Sequence, residues 1–331
     1  MVKAEPSQRD LVVRLRNWVG DVVLCTPMLS RLEAAGYRLH LVGKPWAASL
    51  LAGFGWSFQR LGSTSGERTE QLQRWRREVA RHGWGQAPFG PNALSLPYSF
   101  SSAWEMRRAG LSALGYDGEA RALLLSRSLP RPRRGEGGHE MEVYWRLGQT
   151  LLHGAGPEAH EPPPAALGWR HAAEHRAQAL SLMQAHGVGP GFVMLCPFAG
   201  GNYEGQDKRW PHFPAFAQQQ LSALGRPVVV CPGPGEEHEA QQVYAPAGVQ
   251  VWPGVSLGVC AALLEHAGLM VSNDTGPGHL AAAVGTPLLS VLGPTEPGHW
   301  GAWGPTVKVQ RCWPRWPEPQ DVLVSARAWM R

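Results

Sequence analysis

The chain has 331 residues, 44% of them hydrophobic and 17% charged, with 40 glycines and 29 prolines spread along its length. At roughly 150 residues per domain that makes two domains, and the composition excludes a collagen-like, coiled-coil or wholly disordered chain. Thirty-one Lys and Arg against 26 Asp and Glu leave a net charge of +5, a bias toward phosphate-bearing ligands or an anionic membrane face that demonstrates neither.

Residues 11–15 read as a strand, 17–21 as a glycine-containing turn, 22–35 as a helix ended by Gly36, and 38–42 as a second strand. Thr26-Pro27 offers an alternative helix start. A β-turn-α-β at this spacing opens a parallel, doubly wound sheet. Further on, 70–82 has the pattern of a basic amphipathic helix, 93–96 of a short strand, 127–138 of a loop and 139–151 of a helix. Glu161-Pro-Pro-Pro164 is stiff, helix-stopping linker sequence. It sets the expected domains at residues 1–165 and 166–331, with the last helix free to pack back on the first domain. Beyond the linker, a helix over 169–186 leads into a second alternating series: strand 192–196, helix 213–224, strand 227–231, helix 257–266, strand 269–272, helix 278–284 and strand 288–292. The expected fold is therefore α/β, two Rossmann-like halves facing each other across a cleft, with ligands beyond the carboxyl ends of the strands.

The five cysteines, Cys25, Cys196, Cys231, Cys260 and Cys312, are far apart and form no metal-ligand spacing. Reduced cytosolic thiols fit best, with neither a metal nor another cofactor expected. Near the N-terminus Asp10, Arg14, Arg16 and Asp21 interrupt any apolar run, and no later window reaches ~18 apolar residues, so neither a signal peptide nor a membrane span is expected. Any membrane contact would then be peripheral, on the cytoplasmic side.

The most informative segment is Val271-Ser-Asn-Asp-Thr-Gly-Pro-Gly-His-Leu-Ala-Ala-Ala283, a buried strand running through a tight turn into a helix with small residues at its start. Free N–H groups and the positive end of the helix dipole make an anion site there, with side-chain hydrogen bonds from Asp274, Thr275 and His279 beside the Gly276 turn. Asp274 as a plain helix cap is the competing reading. Pro197 to Pro211 adds a Gly-rich loop carrying Lys208 and Arg209 at another strand end, where cations and loop amides suit a diphosphate, although a lone Lys-Arg pair usually marks a solvated loop. At a third strand end Glu236, behind Pro232-Gly-Pro-Gly235, is placed to hydrogen-bond a ribose. Only six aspartates occur, and Asp21 and Asp274 both fall at strand-to-helix turns. Asp21 could take a proton from an attacking hydroxyl, or simply cap its helix.

Arg14 to Pro27, Lys208-Arg-Trp-Pro211, Ser272 to Ala283 and Gly293-Pro-Thr295, in this order, resemble the heptosyltransferase family, glycosyltransferase family 9, which builds the inner core of lipopolysaccharide. Ser99-Phe100 and Gly115-Tyr116 fall in the same order. The resemblance implies a GT-B architecture, an N-terminal acceptor domain and a C-terminal nucleotide-sugar domain. It also implies inverting, metal-independent transfer of heptose from ADP-heptose. On it, Asp21 is the general base, Lys208 holds the diphosphate, and Asp274, Thr275, Gly276 and His279 line the donor site.

An anionic, lipid-linked saccharide is the expected acceptor, with Arg74, Arg77 and Ser99 as its contacts and Arg76 and Arg81 on the same basic helix; a solvated basic face is the commoner meaning of such a run. Trp300, Trp303, Trp313 and Trp316 are candidates for sugar stacking, a headgroup interface or plain packing. Two rivals remain. A nicotinamide-dependent dehydrogenase would share the fold, but Arg-Asn-Trp-Val-Gly20 lacks the G-x-G-x-x-G fingerprint. A non-catalytic nucleotide-sugar-binding protein would share the donor residues. Another nucleotide sugar is the alternative donor, and no nucleic-acid reader motif occurs.

Overall fold

The computed structural model describes residues 9–81, 90–132, 138–154 and 161–330. The end of the helix expected over 70–82, and part of the loop expected over 127–138, lie outside the described residues. The chain divides into two compact units, residues 1–48 with 55–163 and residues 49–54 with 164–331.

The first unit runs β1 (Arg9–Arg14), α1 (Val19–Ala34), β2 (Tyr37–Gly43), α2 (Trp46–Leu51, whose second half belongs to the second unit), β3 (Ser57–Arg60), α3 (Ser65–Arg81), β4 (Ala93–Ser95), α4 (Phe100–Arg108), β5 (Ala113–Tyr116), β6 (Arg127–Leu129) and α5 (Glu140–His153). Its six-stranded sheet has the order β3-β2-β1-β4-β5-β6, every pair parallel. β1 is central because Asp10 to Arg14 is buried throughout, as a parallel strand covered on both faces requires. Val12, Val42, Ala93 and Ala113 pack under Leu72 and Trp75 of α3 and Ala103 and Met106 of α4.

Helix α1 starts at Val19, earlier than the expected 22, and Pro27 lies inside it rather than opening a new helix. Pro27 has no N–H for the Val23 carbonyl. The Thr26 hydroxyl supplies that donor at 2.8 Å, so the helix continues. α5 packs on α1 at Gly148, where a Cβ would collide with Met28 Cγ. Residues 127–129, expected as loop, form the short edge strand β6.

The second unit runs α6 (Ala173–Ala185), β7 (Val193–Cys196), the hairpin β8 (Asn202–Tyr203) and β9 (Gln206–Asp207), α7 (Phe213–Gln220), β10 (Val228–Val230), α8 (Glu237–Val243), β11 (Gln250–Val251), α9 (Leu257–His266), β12 (Leu269–Ser272), α10 (Gly276–Val284), β13 (Leu288–Leu292), α11 (Pro297–Trp300), β14 (Val307–Arg311) and α12 (Pro319–Trp329). Its main sheet is again parallel and six-stranded, β11-β10-β7-β12-β13-β14. The last helix, α12, packs on α7, β12 and β13 of its own unit, where Val322, Leu323 and Ala326 join the core. Among the described residues no helix is long and apolar enough to cross a membrane.

Both sheets reverse their winding once, between β1 and β4 and between β7 and β12. Chain segments leaving two neighbouring strands in opposite directions open a crevice at the strands' carboxyl ends, so those two points are where each unit can hold a ligand.

Candidate functional site

In the second unit the switch point is built by the turns after β7, β9 and β12. Asn273, 1% exposed, ties them: its side chain accepts from the Trp210 N–H at 2.8 Å and donates to the Pro197 carbonyl at 2.6 Å. Trp210 is buried against Phe213 and Phe216, and its indole N–H donates to the Pro317 carbonyl at 2.9 Å. This anchor fixes Lys208, two residues earlier. The Lys208 ammonium donates to Asp274 Oδ2 at 3.3 Å, and the buried Thr295 hydroxyl donates to the same oxygen at 3.0 Å. His279 Nε2 lies 3.8 Å from Asp274 Oδ1, an ion-pair distance rather than a hydrogen bond. Burial alone would raise the Asp274 carboxyl, but the His279 ring, the Lys208 ammonium and the Thr295 hydroxyl outweigh it and hold the group below the usual carboxylate range.

Helix α10 opens immediately behind. Its N-cap is Thr275, so Asp274 stands one residue outside the helix and is spent on Lys208, Thr295 and His279 rather than on capping. Gly278 lets the helix lie close to β12: a Cβ there would sit 3.1 Å from Ser272 Oγ. Residues 274–277 are half-buried between fully buried neighbours, which leaves the first-turn N–H groups reachable. Lys208, Asp274, Thr275, Gly276 and His279 thus form one cluster. Arg209 does not join it: it pairs with Asp207 of its own hairpin at 3.3 Å and approaches Glu239 at 3.9 Å. Glu236 turns back on its own loop, Oε2 accepting from the Gly233 N–H at 2.8 Å, and burial raises its carboxyl. Trp316 packs against the core and over Gly293, and Trp303 donates to the Pro164 carbonyl at 2.9 Å, so packing is their role.

In the first unit Asp21 lies in the first turn of α1, behind β1, with Trp18 as the N-cap; it is not the cap. Its Oδ1 accepts from the Tyr144 hydroxyl at 2.7 Å and lies 3.5 Å from Arg16 Nε. The Tyr98 hydroxyl donates to Glu140 Oε1 at 2.6 Å, and the guanidinium carbons of Arg16 and Arg131 sit 4.3 and 3.9 Å from the centre of the Tyr98 ring. Burial works to lower the Arg16 pKa, yet Tyr144, Asp21, Tyr98 and Glu140 raise it, so Arg16 is firmly cationic. Arg74 and Arg77 stay exposed on α3, and Ser99 is the exposed N-cap of α4. Among the described residues no hydrogen bond or ion pair carries Arg74, Arg77 or Ser99 into the Asp21 cluster.

Sequence reasoning missed Asn273, Tyr98, Glu140 and Tyr144. Asn273 sits within the quoted motif, and its strand-end position was a usable signal. Tyr144 is 123 positions from Asp21 and gives none.

Two parallel six-stranded sheets of like winding, with the Lys208–Asp274–His279 cluster at one switch point and Asp21 at the other, define the class as a two-unit, doubly wound α/β chain. The family model for glycosyltransferase family 9 (heptosyltransferase) matches residues 92–326. The chain belongs to that family. Lipopolysaccharide heptosyltransferase 3 of Escherichia coli is 33% identical over 123 residues, 35% of this chain and 35% of that protein, so the match spans about a third of the relative's length. Two solved structures share the fold almost end to end. ADP-heptose lipopolysaccharide heptosyltransferase II of E. coli has a TM-score of 0.75 at 20% identity, covering 97% of this chain and 98% of that one. E. coli heptosyltransferase WaaC with ADP has a TM-score of 0.69 at 20% identity, covering 97% and 100%. The fold is GT-B.

Proposed function

We propose that the protein is an inverting, metal-independent glycosyltransferase that moves heptose from ADP-heptose to an inner-core saccharide of lipopolysaccharide. The observation that carries this reading is the placement of Asp21 behind β1 of one unit and of the Lys208–Asp274–His279 cluster behind β9 and β12 of the other, each at its sheet's switch point. The diphosphate is held by Lys208 and the first turn of α10, where loop amides and the helix dipole favour negative charge. Asp274, Thr275, Gly276 and His279 line the donor, and Glu236 offers Oε1 to the ribose.

The acceptor hydroxyl gives its proton to Asp21 as its oxygen bonds to the anomeric carbon. The bond from that carbon to the diphosphate breaks, and the nucleotide leaves with the electron pair toward Lys208. Lys208, resting on Asp274, then exchanges one anion for another as the leaving-group charge develops. The acceptor is an anionic lipid-linked saccharide, met by arginines of the first unit: Arg16 and Arg131 around Tyr98, and Arg74, Arg77 and Ser99 farther out. The protein works at the cytoplasmic face of a membrane. Trp18, Phe100 and Trp104, at 60%, 43% and 42% exposure, with Arg107 and Arg108 in the last turn of α4, have the chemistry for peripheral contact with anionic headgroups.

Incubation with a panel of nucleotide sugars, ADP-heptose first, and truncated lipopolysaccharide acceptors, read by mass, tests the reading. The expected result is an acceptor heavier by one heptosyl unit. Asp21→Ala should cut turnover by ~10²- to 10⁴-fold with ADP binding retained. Donor bound without product would make the protein a nucleotide-sugar binder, and wild-type turnover by Asp21→Ala would remove the base.

A further inference from the structure

Tyr144, on α5, is 1% exposed, and its hydroxyl ends on the Asp21 carboxylate at 2.7 Å. A phenol has one proton to donate. A second carboxylate oxygen, Glu140 Oε1, lies 3.2 Å from the same hydroxyl and already accepts from Tyr98 at 2.6 Å. Asp21 Oδ1 is the nearer acceptor, and the Tyr144 proton goes to it. Arg16 Nε faces that same Oδ1 at 3.5 Å. Among the described residues, both contacts of the Asp21 carboxylate therefore fall on one oxygen, which fixes its rotation and leaves Oδ2 to meet a substrate.

Glu140 is the group able to undo this. As an anion it competes with Asp21 for the phenolic proton. As a neutral acid it can donate toward the Tyr144 oxygen and leave that proton with Asp21. Burial pushes the Glu140 carboxyl up, toward the neutral form. The close approach of α5 to α1 at Gly148, a turn beyond Tyr144, brings the pair within reach.

We infer that Tyr144 is a positioning residue for glycosyl transfer: its hydroxyl holds Asp21 Oδ1 so that Oδ2 is aimed at the acceptor hydroxyl, and Glu140 governs how far that hydroxyl is committed. The inference rests on the reading of Asp21 as the base. Tyr144 keeps its own proton throughout. The acceptor's proton moves to Oδ2, the acceptor oxygen bonds to the anomeric carbon, and the diphosphate leaves with the electrons of the bond that breaks.

The test uses the full chain with ADP-heptose and a truncated lipopolysaccharide acceptor. Tyr144→Phe should lower kcat about 10-fold with KM for both substrates held within about twofold, the signature of a contact that matters in the transition state. Asp21→Asn should fall by ~10²- to 10⁴-fold. The double variant should be no slower than Asp21→Asn, because Tyr144 acts only through that carboxylate. Tyr144→Phe at the wild-type kcat, with Asp21→Asn slow, overturns the inference alone. Asp21→Asn at the wild-type kcat overturns the base and this inference with it. A further 10-fold loss in the double variant makes the effect of Tyr144 independent of Asp21 and also overturns it.

ADP calorimetry, which reads a site in the other unit, and the unfolding midpoint establish that each variant is folded. A pH profile keeps the question open to refutation should Tyr144→Phe not fold. The groups facing Glu140 are Tyr144 on its own helix, Asp21 on α1, Arg16 behind β1, Tyr98 behind β4 and Tyr116 on β5. Glu140→Gln cannot ionise, so it should retain more of its kcat than wild type as the pH is raised. Superimposable profiles overturn the inference.

Discussion

Glu140 and Asp274 are both buried carboxyl groups, and their surroundings push them in opposite directions. Burial raises Glu140, whose nearest donors are phenols, while the company of Lys208, His279 and Thr295 takes Asp274 below its ordinary value despite its burial. The folded state therefore holds the Glu140 proton in a pH range where the unfolded chain has lost it, so Glu140 costs stability as the pH rises from about 4.5 through its raised value. The Asp274 contribution is present above its ordinary 3.8 and is lost as the pH falls through the lowered value. Thermal unfolding across pH checks both signs. Glu140→Gln should gain on wild type as the pH climbs from acid toward neutral. Asp274→Asn should be less stable than wild type at neutral pH, with the gap closing only in strong acid. Asp274 could be singled out as a candidate from the sequence because it stands in a compact turn beside Thr275, Gly276 and His279. Glu140 and Tyr144 were not, because an Asp–Tyr–Glu arrangement made by two helices far apart in the chain leaves no spacing to read.

Helix α5 is a case where one small residue sets a distance between elements. At Gly148 the α1 and α5 axes come close enough that Met28 Cγ occupies the place of a Cβ. Gly148→Ala must push Met28 aside in a region where Met28 is 1% exposed, so it should destabilise by about 1–3 kcal/mol and lower kcat by shifting Tyr144 from Asp21. Met28→Ala alone opens a cavity at about 2–5 kcal/mol. Combining the two should cost less than their sum, because each relieves the other, and denaturant unfolding of the three variants measures it. Strict additivity would mean that the helices do not meet through this pair.

The same scale explains which elements could be read. β12, β13 and α9 match their expected bounds of 269–272, 288–292 and 257–266, since each is a dense buried apolar run with a clear end. β3 (SFQR) and β11 (QV) lie at sheet edges with half-exposed residues, and their pairing rather than their composition makes them strands. β5 is buried but carries Gly115, which weakens its strand pattern. Helix α3 starts at Ser65 because Thr64 and Glu67 form a reciprocal cap, with Glu67 Oε2 accepting from Thr64 N at 3.2 Å and Thr64 Oγ1 from Glu67 N at 3.2 Å. That Thr-x-x-Glu signature was present in the sequence and marks the start better than apolar periodicity. The α5 capping box uses His139 in the cap position, a residue type that gives no such warning.

For the whole molecule the consequence is that, among the described residues, each unit has its own buried cluster around a central parallel strand, and on the proposed reading the nucleotide binds only the second. Two alternating series on either side of a proline run carried the expectation of two halves, whereas the grouping of residues 49–54 with the second unit could not be read, because a six-residue segment carries no periodicity of its own. A ligand that binds only the folded second unit stabilises it by about 2.7 kcal/mol at a hundred times its Kd, enough to raise a melting transition of a unit this size by several degrees. ADP should therefore raise the transition that reports the second unit. Trp210 and Trp252, both 1% exposed there, provide a fluorescence signal for it. Lys208→Ala should remove most of the shift, read against its own ligand-free transition, which should itself fall because the largely buried Asp274 carboxylate loses one of its cationic partners. The converse variant, Asp21→Ala, lies in the other core and should keep the full ADP shift. A shift lost equally in both variants would mean that the nucleotide is not held where Lys208 and α10 converge, and the division of labour between the two units would fail with it.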